Sequence, residues 1–233
     1  MANFEICENV VTKYLGDNSS FIIPNSCCID GINTEISIIK ESMFKCCRNI
    51  ENIEIEEGIK IIEKEAFSSC GNLSNIILPA SLENIGKLAF YGCNNLTNIN
   101  IPNKIKTIEE RTFSYCHKLK IVKFKAASLL KEIKASAFRY CNSLKEIVLP
   151  KRLEIIEEYA FADCSKLTKT INDIKIIAKN INIVGRNNKA IIDATTIATS
   201  QIGNAKVKNT VLQSAFFALA NILPKDQAID YMK

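Results

Sequence analysis

A five-residue word, A-F-x-x-C in its commonest form, recurs six times in phase and limits what this chain can fold into. It ends at Cys47 (MFKCC), Cys70 (AFSSC), Cys93 (AFYGC), Cys116 (TFSYC), Cys141 (AFRYC) and Cys164 (AFADC). Its phenylalanines are Phe44, Phe67, Phe90, Phe113, Phe138 and Phe161, spaced by 23, 23, 23, 25 and 23 residues. A fixed period in this range means a stack of similar coils, each of which buries its apolar face only against its neighbours.

The rest of the unit keeps the same phase. Three residues after each Cys stands Ile50, Leu73, Leu96, Leu119, Leu144 or Leu167. Apolar pairs two apart follow: Ile53/Ile55, Ile76/Leu78, Ile99/Ile101, Val122/Phe124 and Ile147/Leu149. Alternation with period 2 is the mark of a short strand with one buried face. Pro79, Pro102 and Pro150 close three of these runs, as expected of a residue that cannot donate to a ladder. A second apolar stretch precedes each Phe, as in IKIIEKEAF and LEIIEEYAF. The expected interior is a set of columns, with Phe67/Cys70, Phe90/Cys93, Phe113/Cys116, Phe138/Cys141 and Phe161/Cys164 repeating through it.

This unit resembles the BspA-type leucine-rich repeat, over about residues 36–167. The resemblance implies protein recognition or adhesion rather than catalysis. The expected fold class is α/β: a leucine-rich-repeat solenoid with a parallel sheet over 36–170, an irregular N-terminal cap over 1–35, and a small α/β unit over 171–233. In that last unit KAIIDA (189–194) reads as a strand. Residues 207–222 read as a helix with an apolar stripe, and Pro224 opens a second helix. IIDATTIA followed by KNTVLQSAFFALANILPKDQAIDYMK resembles a gamma-domain segment of pyruvate:ferredoxin (flavodoxin) oxidoreductase, thinning back to residue 172. It implies an oxidoreductase-related fragment or fusion, without the segments that hold thiamine diphosphate or iron–sulfur clusters.

Strand residues between the buried ones should face outward on the concave side, where solenoids bind partners. By phase these are Asn52, Glu54, Asn75, Ile77, Asn98, Asn100, Ile121, Lys123, Glu146 and Val148. They form the expected site for an unidentified protein ligand. The chain carries a net charge of +5, and residues 113–137 alone hold six lysines against Glu132. Lys118, Lys120, Lys123 and Lys125 make a basic patch that can attract an anionic partner. Nucleic acid is disfavoured because no aromatic-and-basic interleaving continues into neighbouring repeats.

No catalytic residue, metal or cofactor is expected. Stacked thiols run in parallel and do not converge on a point as zinc ligands must, so the Cys column reads as small buried apolar residues. His117, the single histidine, sits in the turn where other copies carry Gly71, Asn94, Asn142 and Ser165, and reads as a surface residue. Acid pairs such as Glu56/Glu57 and Glu157/Glu158 read as solvated. The opening residues carry Glu5 and Glu8 and no apolar run, so a cytoplasmic location is expected, without a transmembrane segment. The oligomeric state is left open.

Overall fold

The computed structural model describes residues 4–7, 10–14, 16–29, 32–167, 169–171 and 182–183. The expected strand at 189–194 and the helices from 207 onward lie outside the described residues. So does the oxidoreductase-like segment, apart from the two-residue strand Asn182–Ile183.

The chain is a parallel β-solenoid, with no helix among the described residues. Its longer strands are β3 (Ser20–Ile23), β7 (Asn52–Ile55), β9 (Asn75–Ile77), β11 (Asn98–Ile101), β13 (Ile121–Phe124), β15 (Glu146–Val148) and β17 (Lys169–Ile171). Of these, β7, β9, β11, β13 and β15 are the apolar-pair runs of the repeat. The pairs β3–β7, β7–β9, β11–β13 and β15–β17 are parallel, with Ile53 opposite Ile76 and Ile99 opposite Val122. In β11, Ile99 and Ile101 are buried while Asn98 and Asn100 are exposed.

A second ladder runs along the other apolar stretch. Its strands are β6 (Ile38–Ile39), β8 (Ile61–Ile62), β10 (Asn84–Ile85), β12 (Thr107–Ile108), β14 (Glu132–Ile133), β16 (Ile155–Ile156) and β18 (Asn182–Ile183). Each has only two residues, and one Ile of each of the first six is buried. At Gly86, just after β10, the coils come unusually close. A Cβ there would lie 2.6 Å from the Lys64 backbone nitrogen and 2.7 Å from the Glu63 carbonyl carbon.

The A-F-x-x-C word forms a third line of inter-coil bonds. Phe44, Phe67, Phe90, Phe113 and Phe138 each donate a backbone N–H to the residue before the next Phe, at 2.7–2.9 Å. Residues two before and two after each Phe take positive φ, for example Glu65 (57°), Ser69 (62°), Arg111 (55°) and Tyr115 (63°). Such left-handed residues are uncommon when not glycine. Bonds to the next coil hold them there: Glu65 N–H donates to Lys87 and Ser69 N–H to Tyr91.

The six phenylalanine rings stack face to face down the interior, 4.9–5.4 Å apart and within 9° of parallel. The column continues toward the N-terminus through Phe21 and Tyr14. The stretch read as an irregular cap thus supplies a further coil. There β2 (Val10–Tyr14) pairs in parallel with β6, and β3 pairs with β7. Two hairpins decorate it: β1 (Phe4–Cys7) on β2, and β4 (Ser26–Ile29) with β5 (Ile32–Glu35). The two extra residues of the 25-residue spacing are looped out after Phe124. Ala127 has φ 58° there, and β12 still pairs β14 in register.

Acids read as solvated cap neighbouring coils instead. Glu57 accepts from the backbone N–H groups of Ala80 (2.7 Å) and Ser81 (2.9 Å). Glu63 and Glu157 likewise accept from Glu41 and Ala135. The Ala80 bond, helped by Ser81 and Lys104, holds the Glu57 carboxyl below its usual range. A carboxyl that ionises more readily when folded stabilises fully above its unfolded pKa of about 4.3. The contribution is lost as pH falls through the lower folded value. Glu57→Gln should therefore melt below the parent protein at pH 7 and converge with it in acid. Equal melting temperatures at pH 7 would remove the cap.

Candidate functional site

Every strand of the longer ladder turns one set of side chains inward and the other outward, so its outer face carries two columns. One runs Ser20, Asn52, Asn75, Asn98, Ile121, Glu146; the other runs Ile22, Glu54, Ile77, Asn100, Lys123, Val148. Register places Ser20 beside Asn52, Glu54 beside Ile77, and Asn100 beside Lys123. All ten residues expected to face outward lie on this surface. Asn52 is half-buried, with its amide donating to Ser20 Oγ at 2.9 Å, and the other nine are exposed. Ser20 and Ile22 were not foreseen, because their coil lacks the A-F-x-x-C word; only the S-F-I-I alternation hints at them.

The apolar members are, among the described residues, the large hydrophobic residues most open to water. Ile22, Ile77, Ile121 and Val148 retain 51, 52, 43 and 49% of their surface. Their branched side chains can supply contact area to a partner, while the asparagines between them supply donors and acceptors without charge.

The basic patch divides in two. Lys118, Lys120, Lys123 and Lys125 are exposed, and no carboxylate among the described residues pairs with them. Lys131 and Lys134, from the same repeat, reach acids instead: Lys131 meets Glu154 at 3.0 Å, and Lys134 meets Glu132 at 2.8 Å and Glu157 at 3.2 Å. Two lysines of later coils join the patch, Lys145 and Lys166. Together with Lys120 and Lys123 they line a groove of about 620 Å³ on the ladder face.

The thiol column is buried, and its sulfurs make a specific bond that the sequence did not suggest. Cys70, Cys93, Cys116, Cys141 and Cys164 each donate S–H to the carbonyl of the Phe one coil back, at 2.9–3.3 Å. Cys fits because it is small and apolar yet keeps one weak donor. Burial pushes the thiols of Cys70 and Cys116 up to about 12, and those of Cys93 and Cys141 well above their usual value. Among the described residues no group of three His, Cys, Asp or Glu side chains could hold a metal ion.

His117 is half-buried rather than open. Its Nδ1 lies 3.1 Å from the Tyr140 carbonyl, and its ring meets Tyr115 edge-on at 5.8 Å. Tyr115 also contacts Tyr91 and Tyr140, and Arg139 covers the Tyr140 ring at 4.8 Å. This cluster braces the turns. Among the described residues no helix is long and apolar enough to cross a membrane.

Solved structures share the architecture. A leucine-rich repeat protein of T. pallidum matches with a TM-score of 0.69 and 24% identity, over 84% of this chain and 88% of that one. A leucine-rich repeat protein of Eubacterium ventriosum matches at 0.65 and 22%, over 79% of this chain and 45% of its own. The pneumococcal vaccine antigen PcpA matches at 0.55 and 21%, over 80% and 47%. No curated protein sequence matches the chain. The family described as BspA type leucine rich repeat region matches residues 37–168, in six copies. With more than half of its length in those six coils, the chain belongs to the BspA-type leucine-rich repeat family.

Proposed function

We propose that this protein is a recognition module that binds another protein, in the manner of an adhesin, through the outer face of its longer ladder, with no catalysis of its own. The observation that carries this reading is the two-column strip itself. It exposes four large aliphatic side chains among asparagines and other polar residues, where a merely solvated sheet face would be uniformly polar. Rigid presentation supports it further. Both ladders and the turn bonds fix each strand, so binding would cost little ordering of the backbone.

Asn98 and Asn100 lie at the middle of the strip. Replacing both by tryptophan should abolish capture of a partner from native cell extract, read by affinity purification and mass spectrometry, while circular dichroism stays unchanged. Undiminished capture by the folded double variant overturns the reading.

A further inference from the structure

Across the solenoid, lysines commonly meet acids of a neighbouring coil. Lys64 pairs with Glu41, Lys87 with Glu110, Lys104 with Glu83 and Lys131 with Glu154. The ladder face of the last coils breaks this rule. Lys120 and Lys145 hold equivalent positions in successive coils, each just after the buried Leu119 or Leu144, so lysine stands over lysine. Lys123 and Lys166 join them around the same groove. Among the described residues no carboxylate pairs with any of the four. Like charges one strand spacing apart repel, and the fold gains nothing visible from them. Between them lie Ile121 and Val148, 43 and 49% exposed.

We infer that this groove receives an acidic segment of the partner protein, its carboxylates reaching the four lysines and an apolar side chain seated on Ile121 and Val148. The inference rests on the ladder face being the partner site, and it assigns the partner's chemistry at one end of it. Charge complementarity chooses the sign. The aliphatic floor chooses peptide over nucleic acid, since among the described residues no aromatic ring lines the groove for a base to stack on. Glu146, also in the lining, opposes a continuous run of phosphates but can accept a peptide N–H.

The test uses the full chain and a fluorescent peptide alternating glutamate and leucine, read by anisotropy. Binding is expected, and it should fade as salt rises to about 1 M, where the Debye length is about 3 Å. The triple variant Lys120→Glu, Lys145→Glu, Lys166→Glu should bind about tenfold more weakly or worse. A control with the same charge change away from the groove (Lys40→Glu, Lys60→Glu, Lys106→Glu) should bind as the parent does. A glutamate–serine peptide should bind more weakly than the glutamate–leucine one. Three results overturn the inference: no binding by the parent protein, equal loss in both triple variants, or tighter binding of a single-stranded oligonucleotide than of the peptide. If the peptide fails while Asn98→Trp with Asn100→Trp still abolishes partner capture, only the acidic-segment inference falls. If that double variant captures normally, the ladder-face reading falls with it.

Discussion

Phe90→Ala is expected to destabilise the solenoid by about 3–5 kcal/mol, the usual cost of emptying a buried phenylalanine site. For a chain of this size that corresponds to a fall of about 6–20 °C in melting temperature. Phe90 has no exposed surface. Its ring lies between Phe67 at 5.3 Å and Phe113 at 5.4 Å, nearly parallel to both. Removing it leaves a gap the neighbours cannot close, because the coil spacing is set by two ladders and the turn bonds, not by the rings. Phe90→Leu separates the contributions. It fills much of the space but loses two aromatic pairs, each worth about 0.5–1.5 kcal/mol beyond burial. Since each coil touches only its neighbours, a defect at mid-stack should also weaken cooperativity between the halves. Denaturation followed by calorimetry checks both effects. A Phe90→Ala protein melting within about 2 °C of the parent would show that the ring column is not what holds the coils together.

That same column explains why so much of the fold could be read from the sequence. A stacked architecture demands the same residue at the same place in every coil, so Phe67, Cys70 and Leu73 announce one another through their copies. The outer positions were legible for a related reason. Strand alternation sends Asn98 outward wherever Ile99 points in. What stayed hidden was whatever does not repeat or is too brief to show a period. The second ladder has strands of two residues, such as Ile61–Ile62, which show no alternation of their own. The first coil uses Tyr14 and Phe21 where later coils use one Phe, so no word marks it.

The positive-φ sites were hidden differently. Glu65, Leu88 and Arg111 share a backbone conformation and little chemistry, because bonds to adjoining coils impose it. The charge pattern was half legible. Counting lysines along one repeat finds Lys120 and Lys123, but neighbours in a solenoid come from successive coils. Lys145 and Lys166 therefore emerge as part of the groove only once the coils are stacked. The glutamate caps follow the same rule, since Glu57 serves amides 23 and 24 residues away.

The thiol column offers the other large effect, and it bears on whether the cysteines do chemistry. A thiol reacts through its thiolate. With the groups of Cys70 and Cys116 pushed up to about 12, only about one in ten thousand is ionised at pH 8. Ionisation would also cost the S–H bond to the Phe carbonyl one coil back. No reagent can reach these sulfurs without opening the stack, because Cys70, Cys93, Cys116 and Cys141 have no exposed surface. Among the described cysteines, iodoacetamide at pH 8 should therefore label Cys46 first, since it is exposed. Cys47 should follow more slowly, being half-buried with its thiol pushed up by that burial and by Cys46. The four fully buried sulfurs should react at least about a thousandfold more slowly, at a rate set by opening of the coils. Added denaturant should speed them all together, and added zinc should change neither their labelling nor the melting temperature. Tryptic peptides quantified over time by mass spectrometry give each rate separately. If Cys93 or Cys116 is modified as fast as Cys46 in the folded protein, or if zinc protects them, the column holds reactive sites rather than the donors that tie one coil to the last.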